Sequence, residues 1–455
     1  MTRPVTPRWF RWGLAAIALL ALAVRLIYVF GFRQHHEFGG DAFFYHAGAN
    51  LLADGKGFIS PFEPARHIQA GEHPPLYLVY LAIPSVFGFT SVLAHLVWSS
   101  LLGVGTVVVV GLIGREVRGP RVGLLAAGIA ATYPNLWVPD GSLMAESMAM
   151  FATATAVYLA YRYWRDPRWW RLALVGAASG AGALSRSELI LIVPLMVVPL
   201  ALLAPAPGRA PRQRWVAIGG AALAALVLMA PWLVFNLTRF EKPELLSTQF
   251  GPLLSSANCD DVWRGDTKSY FSVACSIAIR DRLIHGRLDE SQTDAIYRRA
   301  ALDYIGHHTD LIPGVVAARL GAIVGVYQPS TQINLDSAIE GREHSLARLD
   351  LYGFQVLALL SVAGAIILRR RGSVPLFPLL VPPVMVLITV ALTYASTRFR
   401  ASAEVVVCVL AAVAVDAAAE WLVTRGSPEL SKRPETSKNS AVRSSTERGP
   451  RGHGT

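Results

Sequence analysis

The chain has 455 residues, of which 53% are hydrophobic and only 16% charged, with a formal net charge of +11. Its mean hydropathy of +0.41 excludes a soluble globular protein of this length and points to a polytopic membrane protein. The basic surplus sits in short loops beside apolar runs and in the tail, where topology accounts for it, and this excludes nucleic acid as a partner.

The first apolar run, residues 12–32, follows Arg3, Arg8 and Arg11. It runs past signal-peptide length without a small-residue cleavage site, so it reads as a retained span with the amino terminus cytoplasmic. A first outer loop covers residues 33–90. Within it, the apolar stretch 74–89 is short and opens on two prolines. A full crossing there would move Arg115, Arg118 and Arg121 outside, so it is expected to lie in the outer leaflet. Spans are then predicted over 91–114, 122–139, 143–163, 172–184, 189–204 and 215–235. These keep Arg162, Arg165, Arg168 and Arg171, and then Arg209, Arg212 and Arg214, on the cytoplasmic side.

Residues 236–350 have mixed polarity and read as a folded, α-rich extracytoplasmic lobe. Its brief apolar stretch 313–327 holds Arg319 and is read as a second surface-lying helix, which keeps Arg369, Arg370 and Arg371 inside. Spans over 351–368, 374–394 and 402–423 complete an all-α bundle of about ten transmembrane helices. The expected organisation is a transmembrane module (1–235), the lobe (236–350), carboxy-terminal transmembrane helices (351–424) and a disordered basic cytoplasmic tail (425–455).

This orientation collects Asp41, Glu72, His73, Asp140, Glu146, Arg186, Glu188, Arg398 and Arg400 on the outer face, although they are far apart in the chain. Taken alone, Asp41 reads as an acid favoured at the amino-terminal end of an interfacial helix. Glu72 and His73 leave a divalent cation open, but two adjacent ligands fall short of the usual three or four, and hydrogen bonding at the Pro-Pro turn is the plainer reading. Cys259 and Cys275 share one polar loop and pair as a disulfide if that loop is extracytoplasmic. Nearby Trp263 and Tyr270 either stack on sugar faces or pack the lobe. His307 and His308 are assigned no role.

The order Asp41, Tyr45, Gly55/Gly57, then His73-Pro74-Pro75-Leu76-Tyr77 resembles the first outer loop of the GT-C superfamily. The resemblance is to its bacterial branch, related to protein O-mannosyltransferases and aminoarabinose lipid A transferases. Asp140 and Glu146 resemble that family's acid at the outer mouth of a span, Arg186 its hairpin arginine, and Thr397-Arg398-Phe399-Arg400 its late Arg-aromatic-Arg motif. There are departures: Ala42 follows Asp41 where the mannosyltransferases often carry a second acid, and Ala401, Ser402 and Glu404 replace the usual prolines.

The resemblance implies an inverting glycosyltransferase in a bacterial plasma membrane. It would take a hexose or pentose from a polyprenyl-phosphate donor and pass it to a cell-envelope glycan, lipid or protein on the extracytoplasmic face. It implies no definite cofactor. Asp41 is then the candidate base, with one base-type carboxylate sufficing for in-line displacement. Arg186, Arg398 and Arg400 are candidate phosphate clamps, since guanidinium grips phosphate oxygens in pairs. Tyr45, Glu72, His73, Asp140 and Glu146 are candidate substrate-binding residues. The alternative is a secondary transporter or lipid-carrier flippase, which buried charges also suit. The lack of an internal repeat and the grouping of acids at one surface speak against it.

Overall fold

The computed structural model describes residues 7–205, 210–265, 267–372 and 374–426. Arg3, Arg209 and residues 427–455 of the basic tail lie outside the described residues. The chain divides into two compact units, Met1–Asp416 and Ala417–Thr455, and of the second only residues 417–426, all helical, are described. Among the described residues the regular structure is helical, apart from one isolated antiparallel bridge between Ile59 and Gln69.

Helix α1 (Arg8–Tyr28) continues through a π-turn to Arg33. Two short helices of the first loop follow, α2 (Gly40–Ala53) and α3 (Leu76–Val86). Next, α4 (Val92–Arg118) is started by the Ser91 hydroxyl, which accepts from the Ala94 amide at 3.2 Å, and it ends at Gly119 with φ +113°. Pro120 opens α5 (Pro120–Thr132), where a missing amide hydrogen costs nothing.

The expected span over 122–139 stops short at Thr132. Tyr133 precedes Pro134 and is pushed into extended backbone, and residues 134–142 form two 3-10 turns. That non-helical stretch is buried throughout, the condition under which irregular backbone is tolerated at membrane depth.

Helices α6 (Glu146–Arg165) and α7 (Trp169–Ala183) follow, then a broken segment, Ser187–Leu203, that ends in α8 (Val198–Leu203). After α9 (Pro211–Arg239) come the short helices α10 (Phe250–Ala257), α11 (Asp260–Trp263), α12 (Val273–Leu283), α13 (Glu290–His307), α14 (Ile312–Ile323) and α15 (Pro329–Ala338). The last three helices are α16 (His344–Arg371), α17 (Phe377–Leu392) and α18 (Thr397–Gly426). Helix α16 starts seven residues before the expected span, and α18 runs two residues past the expected boundary at 424.

Among the described residues, five helical segments are long and apolar enough to cross a membrane: Arg8–Arg33, Val92–Arg118, Pro211–Arg239, His344–Arg371 and Thr397–Val423. Leu76–Val86, Pro120–Thr132, Ser187–Leu203 and Phe377–Leu392 are apolar but shorter. At 1.5 Å per residue α5 reaches only about 20 Å, against a hydrocarbon core of about 30 Å.

Small residues bring these helices together. A Cβ on Gly176 of α7 would sit 2.0 Å from the Ala221 carbonyl of α9, and one on Gly180 would sit 2.6 Å from that of Ala225. This is the small-xxx-small spacing that lets backbones touch where apolar burial supplies no drive. Residues 400–414 of α18 are buried without a break, so this helix forms the centre of the first unit.

The arginine clusters meet at one end. Glu116 takes Arg115 at 3.2 Å and Arg165 at 3.0 Å, and Asp416 takes Arg118 at 3.3 Å. Cys259 and Cys275 form a disulfide, their Cα atoms 6.3 Å apart. Trp263 and Tyr270 are buried. Trp263 donates its indole hydrogen to the Ala257 carbonyl, so both rings pack the lobe and present no face to a sugar. His307 and His308 bond to carbonyls of their own helix.

Candidate active site

Gly39 is extended and Gly40 has φ +53°, so the chain turns sharply and sets Asp41 in the first turn of α2. Its carboxylate does not cap that helix. Oδ2 lies 2.8 Å from Nη2 of Arg398, and Oδ1 lies 3.5 Å from Nε2 of His73, with the side chain one-third exposed. Burial pushes the Asp41 carboxyl up, but Arg398 and His73 more than offset it and hold the group well below the usual carboxylate range.

His73 sits against two rings of α2, Phe44 at 5.0 Å and Tyr45 at 5.1 Å, and Tyr45 rests edge-on to Tyr77 at 5.0 Å. The Pro74-Pro75 turn directs α3 so that the Leu76 amide donates to the Leu184 carbonyl at 2.7 Å. That bond ties the first loop to the hairpin bearing Arg186.

Arg398, the second residue of α18, is the hub. Besides Asp41 it donates from Nε to Glu146 at 2.7 Å and from Nη1 to Glu340 at 3.0 Å. Glu146, at the start of α6, also accepts from Nη1 of Arg186 at 2.6 Å, and Arg186 donates from Nε to Glu188 at 2.6 Å. The Arg186 guanidinium lies over the Phe399 ring at 4.7 Å. Glu146 is 1% exposed, and its Oε2 has no hydrogen-bond partner among the described residues. Four carboxylates (Asp41, Glu146, Glu188, Glu340) thus face two guanidinium groups (Arg186, Arg398). Beside them a cavity of about 10 Å³, room for one water, is lined by Glu146, Glu340, Arg342 and Arg398.

Glu340 and Arg342 were not singled out by the sequence reading. They lie in the turn between α15 and α16, and Arg342 donates to Asn135 at 3.0 Å. Burial raises the Glu340 carboxyl, and Arg398 only partly compensates. The one signal for them was the opposite charges of Glu340 and Arg342 flanking Gly341 inside a long outer segment.

Two expected site residues lie elsewhere. Arg400 is two residues from Arg398, which on a helix is the opposite face. Its Nη2 lies 3.0 Å from Asp350, its Nε bonds Glu404, and Phe354 stacks on it at 4.0 Å. It is buried and paired with these acids, away from the Asp41 cluster. Asp140 is fully buried and accepts from Nε of Arg25 at 2.6 Å. It binds α1 to the 134–142 turns and does not reach the Asp41 cluster through any bond described. Glu72 is half-buried next to His73, and burial raises its carboxyl. Among the described residues, no three His, Cys, Asp or Glu groups gather in an arrangement that would hold a metal ion.

Residues 72–235 match the family model of dolichyl-phosphate-mannose-protein mannosyltransferases. No curated protein matches the chain. The structure resembles the oligosaccharyltransferase AglB of Archaeoglobus fulgidus, solved with an inhibitory peptide and a dolichol-phosphate, at a TM-score of 0.54 and 19% identity over 93% of this chain. The apo form of the Archaeoglobus fulgidus oligosaccharyltransferase gives 0.53 and 15% over 93%. The chain covers 52% of each of these proteins, about half their length. ArnT of Cupriavidus metallidurans, bound to undecaprenyl phosphate, reaches a TM-score of only 0.41 at 15% identity over 93% of this chain and 80% of its own, too low to bear on the fold. The chain thus shares the helical architecture of the oligosaccharyltransferases, and its residues 72–235 are similar to the mannosyltransferase family.

Proposed function

We propose that the protein transfers a hexosyl or pentosyl unit, with inversion, from a polyprenyl-phosphate-linked sugar to a cell-envelope acceptor on the extracytoplasmic face of a plasma membrane. The observation that carries this reading is the Asp41–Arg398–Glu146–Arg186 chain, in which a partly exposed, ionised carboxylate touches a guanidinium. The dolichol-phosphate named for AglB and the dolichyl-phosphate-mannose of the family model support a lipid-phosphate sugar as donor.

In this reading the donor phosphate draws Arg398 away from Asp41. A carboxylate held well below its ordinary pKa by Arg398 is a poor base. Losing that partner to the phosphate raises its basicity as the leaving group is being stabilised. Asp41 then accepts the proton of the acceptor hydroxyl, whose oxygen attacks the anomeric carbon opposite the departing phosphate. The surplus of carboxylates keeps Arg398 held until a stronger anion arrives. His73, packed against the Tyr45 ring, holds the Asp41 side chain, and the arginine-rich end faces the cytoplasm.

The test is a transfer assay with a polyprenyl-phosphate sugar and membranes carrying matched amounts of each variant. Asp41→Asn keeps the shape but cannot take the proton, so turnover should fall about 100-fold or more with donor binding retained. Wild-type turnover by that variant would remove Asp41 as base. Absence of transfer by the wild type from every such donor would favour the transporter reading.

A further inference from the structure

A recess on the surface lies at the arginine-rich end, away from the Asp41 cluster. It is a trough of ≈ 330 Å³ between α1 and α4, walled by Leu14, Ala15 and Ala18 on one side and Val108 and Leu112 on the other. Its volume falls within the range of small-molecule pockets. The alanines leave the space, since a larger side chain at Ala15 or Ala18 would fill it.

Arg11 and Arg115 close one end of the trough. Arg11 is exposed and has no ion pair among the described residues. Arg115 is laid over the Phe10 ring at 5.4 Å, and its partner Glu116 is shared with Arg165. With Arg11 beside Arg115, the mouth of the trough is positively charged. Trp9 and Trp12, 52% and 76% exposed, flank the same turn of α1. Exposed tryptophans beside arginines mark headgroup depth, so the charged mouth stands at phosphate level while the apolar trough runs toward the hydrocarbon.

The geometry points to a binding site for one anionic diacyl phospholipid, its phosphate between Arg11 and Arg115 and one acyl chain in the trough over Ala15 and Ala18. The positive-inside rule accounts for arginines at this end, but not for two of them meeting at the mouth of an apolar recess. This site is independent of the proposed transfer chemistry and stands or falls separately from it.

The test is native mass spectrometry of the full-length protein in detergent, titrated with phosphatidylglycerol, phosphatidylcholine, a polyprenyl phosphate and inorganic phosphate. The wild type should retain one phosphatidylglycerol in preference to phosphatidylcholine. Arg11→Gln should lower that retention about fivefold, the effect of one arginine at a lipid surface. Ala15→Phe should abolish it with both arginines intact. Both substitutions sit on exposed positions, and an unchanged melting temperature of the lipid-free protein shows that they fold. Equal retention of the two phospholipids, unchanged retention in both variants, displacement by inorganic phosphate alone, or stronger retention of the polyprenyl phosphate would each overturn the assignment.

Discussion

Arg398 and Arg400 carry the same charge two positions apart, and their surroundings give them opposite fates. Arg400 is sealed among Asp350, Glu404 and the Phe354 ring. Removing one member of a buried ionic group leaves its partners uncompensated, which costs about 3–5 kcal/mol. Arg400→Ala should therefore lower the melting temperature of the detergent-solubilised protein steeply. Arg398 sits at the edge of a partly exposed site, where Lys keeps the charge but loses the fork that reaches three carboxylates. Arg398→Lys should melt close to wild type while its KM for the lipid-linked donor rises about tenfold or more, as for a lost bidentate phosphate contact. If Arg400→Ala melted like the wild type and instead raised that KM, the roles assigned to the two faces of α18 would be reversed.

At the scale of elements, close backbone approach decides how the bundle packs. Gly176 leaves no room for a side chain against Ala221, whereas Gly128 of α5 has nothing within 4 Å of a built Cβ. Gly176→Leu should push α7 off α9 and reduce the yield of folded protein, and Gly128→Leu should change nothing measurable in a fluorescence-detected gel-filtration profile. In the lobe, the Glu244 side chain is buried with Oε1 unbonded, and burial together with Asp294 raises its carboxyl to about 7. A carboxyl whose folded pKa is raised binds its proton more tightly folded than unfolded. Its folded form is unpenalised below the ordinary value of about 4.3, and stability is lost as pH rises from there through about 7. Glu244→Gln should raise the melting temperature at pH 8 and leave it unchanged at pH 4, where the native residue is already neutral. An equal shift at both pH values would contradict the buried charge.

At the scale of the whole molecule, helix ends sort by charge. Arg115, Arg118 and Arg165 meet Glu116 and Asp416 at one end, while Asp41, Glu146, Glu188 and Glu340 gather with Arg186 and Arg398 elsewhere. The proposed orientation puts the lobe outside. Asp281, 63% exposed, belongs to the lobe, and Arg168, 62% exposed, lies in the turn between α6 and α7. With single reporter cysteines in a background lacking Cys408, Asp281→Cys should react with an impermeant maleimide in intact cells. Arg168→Cys should react only after permeabilisation, and the opposite pattern would invert the topology.

Much of this could be read along the chain. Long apolar runs specify helices whatever their neighbours, and two cysteines in one polar loop specify a bridge, because each of these depends on local composition. The same reading placed Asp41, Glu146, Arg186 and Arg398 on one side of the membrane, since sidedness is additive over spans. It could not separate Arg398 from Arg400, because which face of α18 each occupies depends on where the helix starts and what surrounds it. It placed Asp140 at the site because the acid stands at a span boundary, whereas its partner Arg25 lies inside the first span. It missed Glu340, which meets Arg398 across 58 residues of chain, and the turn that carries Glu340 has no periodicity of its own. Charge pairing at short range in a low-dielectric interior is set by contacts between distant segments, and only the tertiary structure decides those.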